Sequence, residues 1–179
     1  MLRDQILTAV GPLVGLPLSI ARRAASMRVL HFGRVTEGED GSWGAFALHL
    51  QCPWRLEGPA GMVTGQDDLW EHPTLEVPPE DWSWDGADTR QDVRVGALLG
   101  ARDERTRSWV NTSPDRLVVT AVEASELGDL FITFSGGYSL RVFPASESGE
   151  AWRFLAPGRG TPHFVVSFTD GTVGSSTEA

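Results

Sequence analysis

The chain has 179 residues, 41% of them hydrophobic with seven Trp and eight Phe, enough bulky apolar mass for one filled core and too much for a disordered chain. All 15 basic residues are Arg; with no Lys, Schiff-base catalysis and the lysine-bearing phosphate loop are excluded. The net charge of −9 argues against nucleic acid or an anionic membrane as partner, and the lone Cys52 forbids an internal disulfide, in keeping with the cytoplasm.

In chain order, Leu2, Ile6, Leu7 and Val10 recur at helical spacing until Gly11-Pro12. A second short helix is predicted from Pro17 to Ser26, so that residues 1–26 form a helical N-terminal segment. The uncharged run Ile6–Ala21 is too short and too broken by Gly and Pro to cross a bilayer, and Arg22-Arg23 stand where a cleavage site needs small residues. Met27–Arg34 reads as a strand. Ala47–Leu56, ALHLQCPWRL, alternates Leu48, Leu50, Cys52, Trp54 and Leu56 with Ala47, His49, Gln51, Pro53 and Arg55, and Pro53 predicts a break in the strand.

Gly58-Pro59-Ala60-Gly61 turns the chain into a strand at Met62–Thr64, and residues 67–87 form an acidic loop rich in Trp and Pro. Asp88 or Thr89 caps a mid-chain helix that runs to Leu99 and stops at Gly100. Arg116–Ala124 is a strand, and Leu130–Phe143 is a hairpin whose register is calculable. Only a three-residue loop, Ser135-Gly136-Gly137, aligns Phe134 with Tyr138, Ile132 with Leu140 and Leu130 with Val142 on one apolar face, with Gly137 left-handed. Strands follow at Ala151–Leu155 and His163–Phe168, and residues 170–179 make a terminal hairpin and a frayed polar tail. The sum is one α+β domain over 1–179. Its mostly antiparallel β-sheet has about 7–9 strands and carries two short N-terminal helices and one mid-chain helix.

Gly15-Leu16-Pro17-Leu18, Arg23-Ala24-Ala25, Phe32-Gly33, Ala47–Leu56, Asp68-Leu69, Gly137-Tyr138 through Val142-Phe143-Pro144, and Trp152-Arg153 occur in this order. Over residues 13–156 the chain thereby resembles an uncharacterised bacterial protein family with an LHLQCPWR-type segment. The resemblance implies a bacterial cytoplasmic domain and brings no activity, cofactor or catalytic residue with it.

Two surfaces carry candidate function. Asp67–Asp92 holds nine carboxylates against Arg90 alone, a net −8, with Trp70, Trp82 and Trp84 interleaved. Indole rings in an acidic field suit a non-catalytic protein that binds a basic protein partner, as an immunity-type factor does, through Trp70, Glu80, Asp81, Trp82, Trp84, Asp85 and Asp88. The alternative is a small-ligand-binding domain or enzyme on the polar strand face of His49, Gln51 and Arg55, with His31 on a neighbouring strand. A metal site is not expected, because His49-x-x-Cys52 puts its two side chains on opposite faces and Asp67-Asp68-Leu69-Trp70-Glu71-His72 matches no ligand spacing. No Gly-x-Ser-x-Gly or phosphate-cradling loop is present, so neither a catalytic residue nor a cofactor is predicted. The expected state is monomer or homodimer.

Overall fold

The computed structural model describes residues 1–178, which form 15 strands in three antiparallel sheets and two α-helices. The helices are α1 (Leu2–Val10) and α2 (Arg90–Leu99). The strands of the first half are β1 (Leu18–Ala24), β2 (Met27–Phe32), β3 (Thr36–Gly38), β4 (Gly41–Trp43), β5 (Phe46–Leu50), β6 (Trp54–Gly58) and β7 (Gly61–Gly65). Those of the second half are β8 (Gly100–Asp103), β9 (Ser108–Asn111), β10 (Val119–Ala124), β11 (Leu130–Phe134), β12 (Tyr138–Val142), β13 (Gly149–Leu155), β14 (His163–Thr169) and β15 (Thr172–Glu178). An eight-stranded sheet runs β15-β14-β13-β5-β2-β1-β9-β8, a five-stranded sheet runs β10-β11-β12-β6-β7, and β3 pairs with β4 as a small hairpin.

The α+β class holds, with more and shorter strands than expected. The two large sheets share one apolar core: Leu30, Phe32, Leu48, Leu50 and Trp152 from the larger sheet meet Trp54, Leu56, Ile132, Phe134 and Leu140 from the smaller. Phe32 and Phe134 stack at 6.5 Å between ring centroids, 2° from parallel, across the gap between the sheets. Each helix closes one side of this sandwich. α1 packs on the edge strands β10 and β15 with Ile6 and Val10 wholly buried, and α2 packs on β7, β8 and β9 with Val95, Leu98 and Leu99.

The second N-terminal helix is not formed: Pro17–Ser26 is occupied by β1, paired with β2 and β9. Leu18 and Ala21 join the shared core while Ile20 is buried on the other face, so the strand is apolar on both sides and its pattern mimics a helix. A bulge between Leu18 and Ile20 adds to the confusion by breaking the two-residue period. The tail is not frayed either. Residues Gly174–Glu178 pair along β14, from Ser167↔Gly174 to His163↔Glu178.

The 130–143 hairpin forms as calculated, with Leu130↔Val142, Ile132↔Leu140 and Phe134↔Tyr138, and Gly137 at φ 79°. The break at Pro53 is also real, and it does more than interrupt a strand. β5 belongs to the larger sheet and β6 to the smaller, so Gln51–Pro53 carries the chain across the sandwich while Leu48, Leu50, Cys52, Trp54 and Leu56 all stay buried.

Candidate functional site

The acidic segment starts at β7, where a 3-10 turn, Gln66–Trp70, leads the chain out, and it returns at the N-terminus of α2. Both ends are pinned by ion pairs. Asp68 accepts from Thr64 Oγ1 at 2.7 Å and from Arg94 at 2.9 Å, and Glu71 faces Arg90 at 3.6 Å. At the far end Thr89 and Asp92 form a reciprocal capping box that satisfies orphan N–H groups of α2. Asp92 also takes Arg28 at 2.9 Å and Arg23 at 3.2 Å. Burial alone would raise the Asp92 carboxyl; Arg28, the Thr89 N–H and Arg23 outweigh it and hold the group below the usual carboxylate range. Asp88 receives a forked Arg102 and, at 3.3 Å, Arg107.

Arginines distant in sequence therefore neutralise part of the acidic run. Asp67, Glu76, Glu80, Asp81 and Asp85 are exposed and have no ion-pair partner among the described residues; the Ser83 hydroxyl donates to Asp85, and local backbone N–H groups with the more distant Arg23 charge help hold its carboxyl below the usual range. Within the candidate docking set, Glu80, Asp81 and Asp85 present free charge, whereas Asp88 anchors the loop.

None of the three tryptophans of the segment enters the shared core. Trp70 meets Trp84 edge to face at 4.7 Å, and Arg23 lies 5.8 Å from the Trp84 ring centroid. Trp82 packs on His72 at 5.4 Å and donates from Nε1 to the Asp88 carbonyl at 3.4 Å. His72 Nδ1 accepts from the Thr74 and Leu75 N–H groups, which folds the proline-rich stretch back on itself. The outcome is an ordered loop with an apolar exterior: Trp70 is 50% exposed, Leu75 46%, Val77 80% and, on the adjoining turn of α2, Val93 40%. Leu75, Val77 and Val93 were not among the sequence candidates; no local pattern separates an exposed aliphatic residue from a tucked one.

The polar strand face divides differently from its sequence pattern. His49 lies on the outer side of the larger sheet, and Gln51, just past β5, donates to Glu150 at 2.6 Å. Arg55 is on the outer side of the smaller sheet, where it pairs with Glu57 at 2.6 Å and stacks over Phe143 at 5.1 Å. Arg55 therefore shares no face with His49, because the crossing at Pro53 separates them. His31 does sit on the strand beside His49, and it is wholly buried. Cys52 is buried too, and burial pushes its thiol up to about 12, far from a reactive thiolate.

Among the described residues no three His, Cys, Asp or Glu side chains converge as a metal cage. Among the described residues no helix is long and apolar enough to cross a membrane. No protein-family model, curated protein or solved structure matches the chain.

Proposed function

We propose that the loop between β7 and α2 is a docking surface for a basic protein, in the manner of an immunity-type factor that covers a cationic partner. The observation that carries this reading is the exposure of Trp70, Leu75, Val77 and Val93 beside carboxylates that form no ion pair among the described residues. Large apolar side chains left in water on an ordered loop supply contact area, and desolvation of such rings is what drives binding at most interface centres. The surrounding Glu80, Asp81 and Asp85 attract a cationic partner over several ångströms and set its orientation. The ends of the loop are fastened by Asp68, Asp88 and Asp92, which lowers the ordering cost of binding.

An arginine-rich peptide with interspersed leucines is the probe. Titrated into the isotope-labelled protein, it should perturb backbone resonances of residues 66–88 and 93, with affinity falling as salt rises. Trp70→Ala should weaken this binding while leaving the fold intact, and Glu80→Gln/Asp81→Asn/Asp85→Asn should flatten its salt dependence. Perturbations elsewhere, or binding unchanged in both variants, would remove the reading.

A further inference from the structure

The larger sheet carries a second cluster on its outer side, opposite to the shared core. Strand register builds it. Val29 of β2 is flanked by Arg22 across the β1 ladder and by His49 across the β5 ladder, and His31 lies two residues further along β2 on the same face. Arg22 and His49 are thus the two diagonal neighbours of His31, within reach of long side chains. Arg153 of β13 stands opposite His49, already engaged by Glu150 at 2.7 Å and by Glu178 at 3.6 Å, with His163 at 3.2 Å. The preceding parity matters: Arg23 points through the other face to Asp92, so this cluster is independent of the acidic loop.

The hydrogen-bond inventory of the cluster is one-sided. The Gly44 N–H donates to His31 Nδ1 at 3.3 Å, so Nδ1 carries a lone pair and the ring proton resides on Nε2. That Nε2 is fully buried and has no partner. Arg22 is half-buried, and burial is the sole influence on its guanidinium; no acceptor or carboxylate answers it among the described residues. Two unanswered donors at one spot, one of them charged, cost free energy unless an acceptor arrives.

We propose that this face binds a small oxyanion, phosphate or carboxylate, seated over Val29 with Arg22 as its charged clamp and the His31 Nε2–H and the His49 ring as further hydrogen-bond donors. A carboxylate offers acceptors only and a phosphate offers mainly acceptors, which the two unpaired donors need, and the planar fork of arginine matches two oxygens of either. Val29 is 3% exposed and His31 is sealed from solvent, while Arg22 and His49 are partly exposed, so the anion enters where those two side chains part. Burial, Arg22 and the neighbouring ring hold His31 at about 3, and burial with Arg153 and Arg22 holds His49 at about 4 against the opposing charge of Glu150. A bound anion adds the missing negative charge and raises both.

The test is a titration of the full chain, labelled at its histidines, with inorganic phosphate, with sodium acetate and with sodium chloride at matched ionic strength. Long-range nitrogen-proton spectra should show saturable shifts at His31 Nε2 and at the His49 ring, with the His49 titration midpoint moving upward. Whichever of phosphate and acetate saturates at lower concentration names the oxyanion. Arg22→Gln should weaken binding by roughly tenfold or more, the loss of a charge-assisted bond, and Arg22→Lys by less. His49→Gln, on a partly exposed side chain, supplies an independent variant with the same expected direction. Absence of a saturable shift with either oxyanion, an equal response to chloride, or an unchanged binding curve in Arg22→Gln would overturn the assignment.

Discussion

Arg28 and Asp92 stand 64 positions apart in the chain and 2.9 Å apart in the structure, with side chains 1% and 7% exposed. The pair ties β2 of the larger sheet to the first turn of α2. Gln91 completes the join, accepting from Arg28 Nε at 2.9 Å and donating to the Gly65 carbonyl at 2.9 Å.

Removing Asp92 leaves the buried Arg28 charge with only the neutral Gln91 carbonyl, and removing Arg28 leaves the buried Asp92 with Arg23 as its one cation. Arg28→Met or Asp92→Asn should lower unfolding free energy by about 3–5 kcal/mol, with the Asn variant also losing one half of the capping box. Because the folded carboxyl of Asp92 titrates below its unfolded value, this contribution is complete above the unfolded carboxylate range and disappears as pH falls through the folded value. Urea denaturation at neutral pH and in acid checks both statements; a variant as stable as the parent would contradict them.

Burial depresses His31 to about 3 and His49 to about 4, against an ordinary 6.5. For a base with a lowered folded value, the unfolded chain takes up the proton first, so stability is full above about 6.5 and declines as pH falls toward 4. Denaturation midpoints measured between pH 7 and pH 4.5 should fall along this limb. His31→Gln should make the fall shallower even where it lowers the midpoint at pH 7.

Gly96 interrupts α2, and a glycine-to-alanine change inside an exposed helix would stabilise it by about 1 kcal/mol. Here the added Cβ would lie 2.6 Å from the Trp109 ring, which rests on the helix and under the Arg102 guanidinium. Gly96→Ala should therefore destabilise. Gly11→Ala, whose Cβ meets nothing within 4 Å, should not. Thermal melts of the two variants give the comparison.

Cys52 is 6% exposed with its thiol raised to about 12. A thiol-specific reagent should label it slowly in the native protein and rapidly in urea, at a native rate set by opening of the fold. Fast stoichiometric labelling without denaturant would show that the sheet crossing at Pro53 opens on its own.

What the sequence discloses follows the range of the interactions involved. The Phe134–Tyr138 hairpin is legible because its register is set within fourteen residues by loop length and alternation. The α2 cap is legible for the same reason, with Thr89 and Asp92 three residues apart. β1 is misread because a strand buried on both faces has no alternation to display. The separation of Arg55 from His49 depends on which sheet each half of Ala47–Leu56 joins, and that choice is made by β2 and β12, far away in the chain. The charge of the acidic loop is overcounted for a related reason: Arg23, Arg28, Arg102 and Arg107 reach Asp88 and Asp92 only after the sheets assemble.

The two sides of the sandwich are closed with unequal strength. α2 is tied to the larger sheet by the buried Arg28–Asp92 pair and to the smaller by the Gln91 hydrogen bond to Gly65, whereas α1 packs on β10 and β15 through Ile6 and Val10 and has no side-chain cap. Partial opening of the molecule should therefore begin along the α1 seam, with the α2 side staying closed. Amide protons of β10 and β15 should exchange with solvent before those of β1, β2 and α2, and the acidic loop, rooted beside α2, should keep its shape while the opposite seam breathes.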